Sequence, residues 1–199
     1  MDFLLSGQNI SGLELLAMLS GILGVWLTIK QSIWCFPIGI VNVALYAWIF
    51  FSPEVRLYAD SVLQLFYIVL LTYGWWKWKH PPVNKQILIP EFSNFGLLVK
   101  LSALVCAGTL IVGWFFNSYT DASLPWLDSF LTSGSLAAQY LIARKKIENW
   151  IIWIVVDVIY IPMYIYKGLL LTAVLYAVFL VLAIKGLREW KLSSKKMHA

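Results

Sequence analysis

One acidic and four aromatic residues recur along a single side of an apolar stretch in the second half of the chain. Trp150, Trp153, Asp157, Tyr160 and Tyr164 follow one another at spacings of three, four, three and four, which places all five on one face of an α-helix. A carboxylate in the middle of a membrane helix costs about 2.5 to 3.5 kcal/mol, so such a residue usually marks a ligand or ion path. This face is the leading candidate for a binding site.

Amide side chains elsewhere in the sequence could complete a cavity around that face. Asn42, Gln64 and Gln139 lie in three other apolar stretches, and Asn149 directly precedes Trp150. Such amides could hydrogen-bond a sugar or an amide group of a ligand, but they also join membrane helices to one another, for about 1 kcal/mol each. The predicted substrate-binding residues are Asn42, Gln64, Gln139, Asn149, Trp150, Trp153, Asp157 and Tyr160.

A site built from indole rings, phenol rings and one carboxylate suits a flat, cationic aromatic solute. Stacking on an aromatic side chain is worth about 1 to 3 kcal/mol per base in nucleic-acid proteins. A cation over a ring adds about 0.5 to 2 kcal/mol. A bound cation would also offset the cost of burying the carboxylate. This chemistry describes binding of a small molecule.

The residue types needed for catalysis or metal binding are not brought together by the sequence. Cys35 and Cys106 have neither CxxC spacing nor a neighbouring histidine. His80 and His198 lie outside the apolar stretches, which removes the usual base of an intramembrane hydrolase. A retinal protein would need a lysine in the middle of its last helix, whereas Lys185 lies near the end. We therefore predict no enzyme activity, no metal and no cofactor.

The composition identifies the elements that must position these residues as membrane helices. Hydrophobic residues make up 61% of the 199 residues, charged residues 13%, and the mean hydropathy is +0.78, which is too apolar for a soluble globule. Seven apolar runs approach the length that spans a bilayer. These runs are Leu13 to Ile29, Ile33 to Phe51, Tyr58 to Trp76, Phe95 to Phe116, Leu127 to Ala143, Trp150 to Tyr166 and Gly168 to Leu187. The predicted fold is an all-α integral membrane protein with seven transmembrane helices.

The basic residues predict the orientation of these helices. All of the 15 lysines and arginines except Arg56 and Lys167 fall on one side of the membrane if the seven runs span it. Cytoplasmic loops collect Lys and Arg, so the N-terminus is expected outside and the C-terminus inside. The net charge of +5 is explained by this rule and by attraction to anionic lipid. It gives no reason to expect nucleic acid as a partner.

The first three and the last three stretches resemble each other in order. The correspondences, at offsets of 112 to 115, are Gly74 with Gly186, Trp78 with Trp190, Ile29 with Ile142 and Asn42 with Asp157. Three helices, one connecting helix and three helices make the two halves parallel, an architecture in which transporters bind substrate near the midplane between the repeats. The predicted divisions are a first bundle at 1–79, a loop and linker helix at 80–126, and a second bundle with a cytoplasmic tail at 127–199.

A run of residues after the fifth stretch is similar to a known family. The pattern is Arg144-Lys145-x-x-Glu148-Asn149-Trp150-x-x-Trp153, and together with further matches over nearly the whole chain it resembles the Pnu-type vitamin transporters. The best-known branch of that family carries nicotinamide riboside.

The resemblance implies a fold and a function. The expected fold is two parallel three-helix bundles on a plan like that of the SWEET sugar transporters, commonly assembled as a homotrimer in the bacterial inner membrane. The expected function is facilitated uptake of nicotinamide riboside, made directional by phosphorylation of the vitamin in the cytoplasm. Nicotinamide riboside carries a positive pyridinium, and thiamine, which some relatives take, is also a flat cation. Riboflavin is neutral and fits the acidic face less well.

Overall fold

Seven α-helices make up nearly all of the chain that the structure describes. The computed structural model describes residues 12–51, 58–81, 88–120, 124–166 and 168–198, so Arg56 and Lys167 lie outside it. The helices are α1 (Gly12–Ile29), α2 (Cys35–Phe51), α3 (Tyr58–Lys79), α4 (Phe95–Tyr119), α5 (Pro125–Ala143), α6 (Glu148–Tyr166) and α7 (Leu170–His198). The prediction of an all-α protein with seven helices is confirmed.

The largest departure from the predicted boundaries is at the end of α7. The apolar run ends at Leu187, whereas the helix continues to His198. The additional residues are mostly Lys, Arg, Glu and Leu, which favour helix even without an apolar environment. Hydropathy therefore marks the part of a helix that suits lipid, and helix propensity decides where the helix ends.

Four of the described helices are long and apolar enough to cross a membrane by themselves, namely α1, α4, α6 and α7. The helix α2 is apolar but has only 17 residues, and α3 and α5 are less apolar because they carry polar side chains such as Gln64 and Gln139. That all seven helices span the bilayer stays a prediction.

The helices pack as two groups of three that touch at two places. Within the groups, α2 packs on α1 and α3, and α6 packs on α5 and α7. Between the groups, α3 packs on α5 while α1 packs on α7. The helix α4 lies against α5 and exposes large apolar side chains such as Leu104 and Ile111, as expected for a surface in lipid.

Two ends of the bundle are distinguished by charge. We call the end at which α1 and α5 begin, with Glu14 and Asp128, the acidic end. The opposite end, at which α5 ends and α6 begins, we call the basic end, because it carries Arg144, Lys145 and Lys146.

The turn at the basic end holds the segment that precedes α4. The backbone N–H of Glu91 donates to the carbonyl of Lys145 at 3.1 Å, and the N–H of Ser93 donates to Glu148 Oε1 at 2.7 Å. Lys146 forms an ion pair with Glu91 at 2.8 Å. Lys145 and Glu148 of the family-like pattern therefore have structural roles in this turn.

Lys145 is buried at this turn, with 5% of its side chain exposed. Its Nζ donates to the carbonyl of Leu88 at 2.8 Å and to Gln31 Oε1 at 3.2 Å, and lies 4.3 Å from the centre of the Trp78 ring. Burial lowers the pKa of Lys145 from 10.5 to about 8. The folded protein therefore releases a proton from this lysine at lower pH than the unfolded chain does.

We predict that this lysine makes stability rise with pH. Between pH 8 and 10.5 the unfolded chain binds more protons at Lys145 than the folded protein, so the free energy of unfolding increases across that interval, by about 2 to 3 kcal/mol. Unfolding temperatures in detergent, measured across this pH range, should show a steeper rise in the wild type than in Lys145→Met. Parallel curves for the two proteins would contradict this assignment.

Candidate binding cavity

A cavity of about 1050 Å³ lies between the two groups of helices. Residues of α1, α2, α3, α5, α6 and α7 line it, whereas α4 contributes none of the described lining residues. Its volume is at the upper end of the range for small-molecule sites, which is about 300 to 1000 Å³. The space therefore suffices for a vitamin with a ring system and a polar arm.

The structure brings seven of the eight predicted binding residues to this cavity. They are Asn42, Gln64, Gln139, Trp150, Trp153, Asp157 and Tyr160. The eighth, Asn149, is fully buried in the first turn of α6 and is not among the lining residues. Its Nδ2 donates to the carbonyl of Lys146 at 2.5 Å. Consecutive residues of a helix point about 100° apart, so Asn149 is turned away when Trp150 faces the cavity.

Asp157 lies deep in the wall of the cavity. Only 2% of its side chain is exposed, and its Oδ1 has no hydrogen-bond partner within the described part of the chain. Glu14 and Asp128 line the same cavity toward the acidic end. None of the described lining residues is Lys, Arg or His. A cleft lined by charges of one sign attracts the opposite ion, so this cavity favours a cation.

A cluster of tyrosines stands beside Asp157. The rings of Tyr160 and Tyr164 are stacked at 5.3 Å with an angle of 17°, and that of Tyr176 lies 4.9 Å from Tyr160 and 5.0 Å from Tyr164. Tyr67 of α3 lines the cavity as well. Helical spacing places Tyr164 on the face of Asp157, and it places Tyr67 and Tyr176 on matching polar and aromatic stripes of α3 and α7. That these stripes meet the face of Asp157 depends on how the helices pack.

Asn42 serves the packing of the helices as well as lining the cavity. Its Nδ2 donates to the carbonyl of Ala17 at 2.5 Å and to Ser20 Oγ at 3.2 Å, which joins α2 to α1. Gln139 is 8% exposed and Gln64 is half-buried. Of these three amides, Asn42 most clearly has the helix-joining role that the sequence left as an alternative.

The cavity is closed at the basic end by aromatic side chains. Phe36 and Trp150 line it there, and at most 1% of either side chain is exposed. At the acidic end the lining residue Asp128 is exposed, and Glu14 is partly exposed. Among the described residues, access to the cavity is therefore greater from the acidic end.

Most of the chain matches one protein family. Residues 11–192 match the family described as nicotinamide mononucleotide transporter. The nicotinamide riboside transporter PnuC of Escherichia coli (strain K12) is 25% identical over 216 aligned positions, which cover 96% of this chain and 89% of that protein. The riboflavin/roseoflavin transporter RibM of Streptomyces davaonensis is 24% identical over 200 positions, with 98% and 91% covered.

A solved structure has a similar fold. The crystal structure of the vitamin B3 transporter PnuC superposes with a TM-score of 0.72 at 24% identity, covering 91% of this chain and 81% of that one.

Proposed function

This chain belongs to the nicotinamide mononucleotide transporter family, and on that premise we propose that it carries nicotinamide riboside across the bacterial inner membrane by facilitated diffusion. The family resemblance seen in the sequence is thereby confirmed, and the relatives described above are transporters rather than enzymes.

One observation supports a cationic substrate above all others. The described lining of the cavity contains the carboxylates of Glu14, Asp128 and Asp157 and no basic side chain. Asp157 is buried, and its Oδ1 has no hydrogen-bond partner among the residues that the structure describes. A pyridinium or thiazolium ring would place a positive charge beside Asp157, and the adjacent tyrosines would supply faces for stacking. A neutral solute would gain nothing from a negative charge on Asp157.

The two alternatives rest on different observations. Thiamine is also a flat cation, so the charge of the cavity favours it as much as nicotinamide riboside. Riboflavin is supported by the similarity to RibM and by the size of the cavity, which is large enough for a tricyclic ring. Nicotinamide riboside is preferred because it meets the charge requirement and is the substrate named for the PnuC relatives.

The membrane arrangement proposed for this function follows the positive charges. With the basic end in the cytoplasm, the N-terminus lies outside and the C-terminus inside. Phosphorylation of the vitamin in the cytoplasm would prevent its return and make uptake directional. We further propose two parallel three-helix bundles joined by α4, on a SWEET-like plan, and a homotrimer. The reciprocal packing of α3 on α5 and of α1 on α7 supports the parallel arrangement.

Binding and flux measurements test the proposed substrate. The purified protein is titrated with nicotinamide riboside, thiamine and riboflavin, and small molecules that copurify are identified by mass spectrometry. We expect nicotinamide riboside to bind most tightly and to equilibrate across proteoliposomes without a pH or sodium gradient. Tighter binding of thiamine or of riboflavin than of nicotinamide riboside would overturn the proposed substrate, and accumulation driven by an ion gradient would overturn facilitated diffusion.

A further inference from the structure

The basic end of the cavity contains an aromatic pair in each group of helices. In the first group, the ring of Phe36 on α2 lies directly against Gly74 of α3, where a methyl group would collide with it. The next turn of α3 places Trp78 edge-on to the same ring, with centroids 4.9 Å apart and an angle of 88°.

The second group repeats this arrangement with equivalent residues. The ring of Trp150 on α6 lies against Gly186 of α7, where an added Cβ would come within 2.6 Å of it. Trp190 stands edge-on to Trp150, with centroids 5.4 Å apart and an angle of 90°. Gly74 and Trp78 are separated from Gly186 and Trp190 by the same offset of 112 residues. The sequence correspondence thus marks a repeated packing unit.

Trp78 and Trp190, on the third helix of each group, donate hydrogen bonds to the opposite group. Trp78 Nε1 of the first group donates to the carbonyl of Ile142 at 3.3 Å, near the end of α5. Trp190 Nε1 of the second group donates to the carbonyl of Thr28 at 3.1 Å, near the end of α1. The two indole rings are 6.2 Å apart. These bonds therefore cross the boundary between the groups in both directions.

A third bond crosses the same boundary next to the tryptophans. Gln31 and Lys145, which follow α1 and α5, both adopt left-handed backbone conformations, with φ of 55° and 50°. A residue in the left-handed conformation commonly ends a helix, and it is strained when it is not glycine. Strained residues of this kind are frequent at switching elements. Lys145 Nζ donates to Gln31 Oε1 at 3.2 Å. The equivalent turns of the two groups are thus fastened to each other.

We propose that Trp78 and Trp190 are the gate residues of transport at the basic end. A vitamin in the cavity cannot pass Phe36 and Trp150 while these rings are buried between the groups. Release at the basic end requires the groups to separate there, which breaks both tryptophan hydrogen bonds together with the bond between Gln31 and Lys145. Neither tryptophan lines the cavity, so they affect release without contacting the substrate. This inference rests on membership of a transporter family and not on which vitamin is carried.

The replacements Trp78→Phe and Trp190→Phe test the gate, because each keeps an aromatic ring and removes the N–H donor together with the five-membered ring of the indole. The reporter is Cys35, which lines the cavity beside Phe36. After Cys106→Ser it is the only cysteine, since the chain has two. Its modification by a membrane-impermeant thiol reagent is timed in vesicles of either orientation, with sidedness assigned by trypsin cleavage in the tail around Lys195.

We expect each single variant to raise the rate of Cys35 modification from the basic side by about threefold to tenfold, the equivalent of one hydrogen bond, and the double variant to raise it further. Trp114→Phe, at a lipid-facing position of α4 that is 56% exposed, is the matched control and should leave the rate unchanged. An unchanged rate in the double variant overturns the gate. An equal increase from both sides also overturns it, because that result indicates general loosening of the helices. Neither readout requires a ligand, so a wrong vitamin leaves the test intact.

Discussion

Replacing Asp157 with asparagine is expected to weaken binding of nicotinamide riboside and of thiamine by about 10- to 100-fold. An interaction with a charged group in a buried site contributes about 1.5 to 3 kcal/mol, which corresponds to that range in Kd. Asparagine has nearly the same shape, so the cavity keeps its form and loses only the charge. Binding is measured by calorimetry with the purified variant in detergent.

Two comparisons make this result specific to charge. Riboflavin is neutral, so its affinity for Asp157→Asn should change by less than about threefold, or rise, because the desolvation cost of the carboxylate is gone. Asp128→Asn removes a carboxylate at an exposed position of the same cavity. Water and salt screen that site, so a loss of less than about threefold is expected, declining as ionic strength increases. Equal weakening of all three vitamins by Asp157→Asn would show that the residue supports the structure and does not select cations.

The sequence predicted the helices well because their signal is local. Apolar runs of membrane length are read directly from residue types, and the observed start of α4, at Phe95, coincides with the predicted one. The face of Asp157 was also predictable, since helical spacing alone places Trp153 and Tyr160 beside it. The cavity-lining positions of these residues agree with that face.

What the sequence could not predict depends on contacts between distant segments. Tyr176 reaches the cluster around Asp157 only because α7 packs against α6. Asn149 is directed to the carbonyl of Lys146 by its place in the first turn of α6, which residue type alone does not reveal. Glu148 accepts a hydrogen bond from Ser93, which is 55 residues away in the sequence. At least this residue of the family pattern therefore supports the structure. Such pairings require the tertiary arrangement.

Exchanging Gly186 for alanine is expected to destabilise the protein by about 1 to 3 kcal/mol, although alanine favours a helix by about 0.5 to 1 kcal/mol over glycine. The new methyl group would lie 2.6 to 2.7 Å from three atoms of the Trp150 ring. That ring cannot easily move, because it is buried in a cluster with Ile29, Ala183 and Trp190, and Trp190 packs edge-on against it. Tryptophan fluorescence during thermal unfolding in detergent measures the loss.

The same exchange at Gly96 should have the opposite sign, since nothing lies within 4 Å of a Cβ at that position of α4. Gly96→Ala is therefore expected to stabilise the protein by up to about 1 kcal/mol. If contact with the ring causes the loss, Trp150→Leu should relieve it, so that the double variant Gly186→Ala with Trp150→Leu loses less than the sum of the two single changes. If the losses of the two single variants simply add in the double variant, the destabilisation by Gly186→Ala comes from the α7 backbone. Contact with an aromatic ring would then not explain why glycine occupies this position.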